Sequence, residues 1–271
     1  MDSLPFIKMT GAGNDFVVID NRNLNHVLST DEIAWLCDRH YGIGADGLLA
    51  VEPSGESAAD FRMRYYNSDG GEAEMCGNGA RCFARFIQGM RRAEPGRVRF
   101  LTPAGLITAE YLGEEIRINM TAPTEVRLNQ SADFGWGQTG YHFLNTGVPH
   151  AVLFVSDAGE VDVISQGNAI RHSPVFSRGA NVNFVQVIDP AHLFVRTYER
   201  GVEDETLACG TGVVASALAA HRIHGLALPL RIQVRSGDIL LVGARSHENG
   251  DFYDVTLAGP ALEVFSGEIK L

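Results

Sequence analysis

The sequence predicts an α+β fold of two related halves, each a curled sheet wrapped around one apolar helix. Three observations lead there. The pattern Cys-Gly-x-Gly occurs twice, as "CGNG" from Cys76 and "CGTG" from Cys209, each time opening a helical pattern. The surroundings of the two copies resemble each other at a lag of about 133 residues. Much of the remaining chain consists of short β-branched and aromatic runs separated by glycine-rich or acidic turns.

Strand patterns run through 15–20, 46–52, 60–66, 97–102, 106–112 and 115–120 in the first half. In the second they run through 150–155, 181–188, 193–198, 231–236, 238–245 and 251–257. A helix over Ser29–Tyr41 opens on "STDE", a capping-box pattern, and puts Ile33, Leu36 and Cys37 on one face, so Cys37 reads as core. The other two helices follow Cys76 and Cys209. In the second, "VVASALAA" (213–220) is apolar on every side, which marks a helix inside the fold. The halves share "TG" (Thr10-Gly11 and Thr146-Gly147), a tyrosine 10 or 11 residues before the cysteine, and a closing "INMTAP" or "VTLAGP". A last strand pattern, "LEVFSGEIKL", is placed to return to the first half.

A chain of 271 residues can bury a substantial core without staples. Its net charge of −11 argues against nucleic acid or an anionic membrane as partner, since both reward basic patches. The local basic cluster at 90–99 reads as a solvated helix end. The N-terminus carries an acid at position 2 and no basic region before an apolar run, and Leu207–Ala220 is too short to span a bilayer. A cytoplasmic protein with its four cysteines as thiols is expected. The cysteine spacing does not suit zinc, and no metal is expected. "GAGNDF" lacks the spacing of a dinucleotide fingerprint.

The repeated motif permits a particular chemistry. Glycines let backbone N–H groups approach a ligand, and a helix N-terminus favours an anion and lowers the pKa of a cysteine placed there. Two such units around one carbon suit removal of a proton from one face and its return to the other, as in a racemase or epimerase. Helix starts would also stabilise the carbanion's carboxylate. The only lysines are Lys8 and Lys270, and neither position suits a Schiff base, so a cofactor-independent reaction is expected. Cys82, within the first helix, reads as core. Either remaining cysteine alone would read the same way, but core packing supplies no reason for glycine at both +1 and +3. A thiol redox enzyme, a racemase for another amino acid and a binding module without chemistry remain open on these residues.

At "TGAGNDF" (10–16), "YGIGADG" (41–47), "YYNSDGGEAEMCGNGARC" (65–82), "NTGVPH" (145–150), "GANVNF" (179–184) and "TYERGVEDETLACGTG" (197–212), the sequence resembles diaminopimelate epimerase over nearly its whole length. The resemblance implies interconversion of LL- and meso-diaminopimelate, in lysine and peptidoglycan-precursor biosynthesis. It implies two pseudo-symmetric halves, each a barrel-like mixed sheet around a central helix. The N-terminal half would be 1–121, completed by 261–271, and the C-terminal half 122–260, with the site in the cleft between them. It implies a homodimer, a small-molecule substrate and no cofactor.

By motif, Cys76 and Cys209 are the acid/base pair. Gly77 and Asn78, with Gly210 and Thr211, hold the reacting centre's carboxylate. Asn14, Asn67, Asn181, Glu199 and Arg200 recognise the substrate's other groups, Arg200 through its planar fork. His150 and Glu199 adjust the thiols' protonation. The plainer alternatives are a turn-capping role for each asparagine and a surface ion pair for Glu199 and Arg200. Gly47 and Val148 stand where many family members have glutamine and asparagine, so those two side-chain contacts are not expected here.

Overall fold

The computed structural model describes residues 3–73, 75–90 and 96–271; of the basic cluster at 90–99 expected as a solvated helix end, 91–95 lie outside the described residues and Arg97 and Arg99 belong to a strand. The chain is a mixed α+β protein that divides into two compact units, Met1–Asn119 with Gly259–Leu271, and Met120–Ala258.

The first unit starts with β1 (Ser3–Gly11) and β2 (Asn14–Asp20), followed by α1 (Thr30–Cys37). Next come β3 (Gly47–Pro53), β4 (Phe61–Asn67), α2 (Gly77–Met90), and β5 (Arg97–Thr102), β6 (Gly105–Leu112) and β7 (Glu115–Asn119). The β1–β2 pair is an antiparallel hairpin, β2–β3 is parallel, β3–β4 antiparallel and β4–β5 parallel, and β5, β6 and β7 form an antiparallel meander. Each parallel step needs a crossover, and α1 and α2 supply them. α2 packs against β1, β2, β3, β4, β6 and β7, so the strands surround it. Its buried face includes Ala80, Cys82, Phe83, Ala84 and Ile87.

The second unit repeats this order. It contains β8 (Thr124–Asp133), β9 (Gln138–Asn145), β10 (Pro149–Phe154), α3 (Val163–Arg171), β11 (Asn181–Asp189) and β12 (His192–Glu199). Then follow the short β13 (Asp204–Thr206), α4 (Gly210–His224), β14 (Leu230–Gln233), β15 (Ile239–Ser246) and β16 (Phe252–Pro260), whose last two residues, Gly259 and Pro260, belong to the first unit. The pairings are again antiparallel for β9–β10, parallel for β10–β11, antiparallel for β11–β12, parallel for β12–β14 and antiparallel through β15 and β16. Residues Val213 to Ala220 of α4 are all buried. The one polar side chain among them, Ser216, is satisfied by donating to Gly212 O at 2.7 Å. Finally β17 (Leu262–Lys270) pairs antiparallel with β1 in the first unit.

Three expectations need correction. The helix over Ser29–Tyr41 ends at Cys37. Asp38 is extended, and its carboxylate accepts from the His40 and Tyr41 N–H groups at 2.7 and 2.8 Å, which closes a turn instead of a further helical one. At the helix start the capping box is present, with Ser29 and Glu32 bonded reciprocally. α3 is a fourth helix, beyond the three that the sequence pattern marks. Asp162 caps it by accepting from Ser165 N at 3.1 Å, but Gly167 lies in its middle and only Val163, Gly167 and Ile170 are buried. Strands β1, β8, β9 and β13 also lie outside the strand patterns of the sequence. β1 carries Pro5, and β8 is mostly exposed with little apolar alternation, so their local patterns are weak.

Candidate active site

In the first unit Cys76 is the N-cap of α2. Its carbonyl accepts the first helical bond, from Ala80 N at 2.8 Å, and its sulfur accepts from Gly79 N at 3.4 Å. The thiol thus takes the position that a serine or aspartate side chain takes in an ordinary cap, where donors and helix dipole stabilise negative charge. Asn78, two residues on, is buried and held from both sides. Its Nδ2 donates to Asn14 Oδ1 at 2.5 Å, and its Oδ1 accepts from Arg81 Nη2 at 2.8 Å. Arg81 is fully buried and also donates to Gly77 O and Pro260 O. Gly11 is glycine for a steric reason: a β-carbon there would stand 3.0 Å from both Asn78 O and Cys82 Sγ.

Behind Asn14 lies an ionic cluster. Asn14 Nδ2 donates to Asp46 Oδ2 at 2.9 Å; Arg39 clasps Asp15 in a fork and reaches Asp46 at 2.9 Å. Lys8, buried beneath, pairs with Asp15 at 2.8 Å and donates to Gly44 O. Burial alone would raise the Asp15 pKa, but bonds from Arg39 and Lys8 outweigh it and hold the carboxyl down at about 2. Lys8 is therefore engaged in structure. Asn67 is exposed at the end of β4, in register with Gly47. Glycine at 47 is set by the backbone: a β-carbon would stand 2.4 Å from Tyr66 O.

In the second unit Cys209 is the N-cap of α4, accepting from Val213 N at 2.9 Å through its carbonyl. Its sulfur lies 3.6 Å from Thr211 Oγ1. Thr211 is held much as Asn78 is: His150 Nε2 is 3.0 Å from its hydroxyl, and Thr146 Oγ1 donates to its carbonyl at 2.9 Å. His150 is fully buried, and burial, with the Arg200 charge adding to it, pushes its pKa down to about 3, so the ring is neutral at ordinary pH. Asn183 bonds its other nitrogen, Nδ1, at 3.1 Å.

Asn181 is buried and accepts from the Arg200 backbone N–H at 2.7 Å, a turn-tying bond of the plainer kind. Glu199 ends β12, and the Arg200 guanidinium donates to Arg178 O at 3.0 Å.

Within each unit the residue two after the cysteine is thus gripped by a residue four after the threonine of the "TG" pair: Asn78 by Asn14, and Thr211 by His150. The glycines at +3 differ. A β-carbon at Gly79 would make ordinary contacts of 3.4 to 3.5 Å, whereas one at Gly212 would stand 2.3 Å from Asn183 Oδ1. Packing therefore does supply a reason for glycine in the second motif, contrary to expectation. The remaining thiols are inert by burial, which pushes Cys37 up to about 11 and Cys82 up to about 12. Sequence reasoning missed Arg81, Thr146, Asn183 and Thr197. For Asn183 a signal existed: with Asn181 it puts two polar side chains on one face of the strand's first five residues, whose other members, Val182, Phe184 and Val185, are apolar. Among the described residues no group of three or more His, Cys, Asp or Glu could hold a metal, and no helix is long and apolar enough to cross a membrane.

The profile of the family described as Diaminopimelate epimerase matches residues 6–126 and 142–255. The diaminopimelate epimerase of Chlorobaculum tepidum is 43% identical over 267 residues, covering 97% of this chain and 100% of that protein. That of Nitrosospira multiformis is 39% identical over 280 residues, covering 99% of each. Among solved structures, a Bacillus anthracis phenazine biosynthesis protein of the PhzF family superposes with a TM-score of 0.75 over the full length of both chains at 15% identity, a likeness of fold.

Proposed function

The chain belongs to the diaminopimelate epimerase family and is an isomerase, and from that premise we propose a cofactor-independent, two-thiol interconversion of LL- and meso-2,6-diaminopimelate. One cysteine of the pair Cys76 and Cys209 works as thiolate and removes the α-proton. The other, as thiol, returns a proton to the opposite face. Each turnover therefore exchanges their protonation states, and the reverse reaction uses the same groups in exchanged roles.

The observation that carries this reading is the placement of both cysteines as N-caps of buried helices, each beside small residues and backbone N–H groups. Negative charge that builds on the substrate's α-carboxylate in the carbanion would be met by the N–H groups at Gly77 and Asn78 and at Gly210 and Thr211. Asn14, Asn67, Asn181, Glu199 and Arg200 would recognise the amino and carboxylate groups, including those of the centre that must not change. His150, held neutral, and Glu199 would tune the thiols. No side-chain contact is assigned to Gly47 or Val148.

The same reading makes the protein a cytoplasmic homodimer in lysine and peptidoglycan-precursor biosynthesis; the exposed apolar side chains Leu262, Val264 and Phe265 on β17 support the dimer. Incubation with LL-diaminopimelate in D₂O, followed by NMR, tests the chemistry. Exchange of one α-proton with appearance of the meso isomer is expected. No exchange by folded, reduced protein would overturn it.

A further inference from the structure

We propose that Asn183 is a positioning residue for Cys209: by fixing the hydrogen of His150 on Nε2, it aims the Thr211 hydroxyl hydrogen at the Cys209 sulfur. This deepens the two-thiol reading and rests on it, since it concerns how one of the two proposed acid/base groups is held.

The direction of every bond follows from one backbone carbonyl. Asn183 is fully buried on β11, and one end of its amide lies 3.0 Å from Ala151 O. A carbonyl only accepts, so that end is Nδ2. Oδ1 then faces Thr197 Oγ1 at 3.0 Å and accepts from it. Nδ2 has a second hydrogen, and His150 Nδ1 is its partner at 3.1 Å. A ring nitrogen that accepts carries no hydrogen, so the neutral ring carries its single hydrogen on Nε2. Nε2 lies 3.0 Å from Thr211 Oγ1, which accepts. The one hydrogen left on Thr211 has the Cys209 sulfur at 3.6 Å.

The chain of donors therefore runs in a single sense along Thr197, Asn183, His150, Thr211 and Cys209. A hydroxyl that donates to sulfur stabilises the thiolate over the thiol. Burial of the ring removes the imidazolium as a competing state. Gly212 is the space that admits the Asn183 amide, so the relay and the glycine motif belong together. The first unit solves the same problem differently, with a backbone donor, Gly79 N, on the Cys76 sulfur.

The test has two parts, and neither needs substrate. In wild-type protein labelled with ¹⁵N-histidine, long-range ¹H–¹⁵N spectra report each ring's tautomer, with His150 assigned by its loss in His150→Gln. Hydrogen on Nε2 is expected; hydrogen on Nδ1 overturns the proposal. In a Cys76→Ser background, alkylation of Cys209 is then followed against pH by mass spectrometry. Asn183→Leu and Thr211→Val are each expected to move the profile to higher pH and slow alkylation at neutral pH by about tenfold. Thr211→Ser, which keeps the hydroxyl, restores it.

Because both act through one hydroxyl, the double variant loses no more than Thr211→Val alone. Additive losses, or an unchanged profile in the folded variants, overturn the proposal. If Asn183→Leu does not fold, the tautomer and the Thr211 pair still decide it. A failure of the epimerase reading shows separately, as absent α-proton exchange with these signatures intact.

Discussion

Gly212 and Asn183 occupy adjoining space that a single methyl group would close: a β-carbon on residue 212 would stand 2.3 Å from Asn183 Oδ1. Gly79, its counterpart in the first motif, has only ordinary contacts around it. Two glycines that look equivalent in sequence should therefore respond oppositely to alanine. Gly212→Ala is expected to cost about 1–3 kcal/mol through overpacking, with a loss of activity as Asn183 shifts. Gly79→Ala is expected to be neutral or stabilising by up to about 1 kcal/mol, since alanine is the better helix former. Urea denaturation of the two variants against wild type measures both.

Serine is a preferred N-cap residue, so Cys76→Ser should keep the cap of α2 while removing the acid/base group. Stability within about 0.5 kcal/mol of wild type is expected, because a serine cap is at least as good as the thiol it replaces. Epimerisation is expected to fall by roughly 10²–10⁴-fold, the usual worth of a positioned general acid or base. The same applies to Cys209→Ser. Steady-state assays and denaturation curves on the same preparations separate the two effects.

Arg81 makes a structural claim that sequence inspection does not suggest. Its guanidinium is fully buried and serves Asn78 Oδ1, Gly77 O and Pro260 O. Arg81→Met removes these donors, and a loss of at least about 2 kcal/mol is expected, given the cost of leaving buried acceptors unpaired. Arg81→Lys should not rescue it, because an ammonium cannot reach in three directions with a planar fork. Thermal unfolding gives the ranking.

His150 sets a pH dependence. Its folded pKa is lowered from 6.5 to about 3, by burial first and the Arg200 charge second. Protons therefore bind the unfolded chain more readily. The stability contributed by neutral His150 is fully present above pH 6.5 and is lost as pH falls from there towards about 3. Over that window the slope is expected to be about 1.4 kcal/mol per pH unit, the value for one proton. His150→Gln should remove this slope. Asp15, lowered from 3.8 to about 2 with burial opposing and Arg39 and Lys8 prevailing, acts lower down: its contribution is present above pH 3.8 and is lost as pH falls through about 2. Asp15→Asn should flatten only that acid limb. Denaturation at a series of pH values distinguishes the two.

Local signals made much of this legible. The all-apolar run from Val213 becomes a buried helix because no face of it can be left in water. The "STDE" box becomes a cap because its two bonds are local. β8 and α3 were not legible: β8 is mostly exposed and α3 buries only three residues, so neither carries a periodic apolar pattern.

Sequence by itself determined that two Cys-Gly-x-Gly helix starts recur in two related halves, and that lysine is nearly absent, because repeats and composition are properties of the chain alone. Tertiary structure decided what grips each start. Arg81 is an arginine on a helix until burial makes it the clamp of Asn78. Asn183 is one polar residue in a strand until the register of β10 against β11 sets it beside His150 and Ala151. The sense of the hydrogen bonds to Cys209 depends on partners far apart along the chain, and a bond's direction exists only once folding brings its donor and acceptor together.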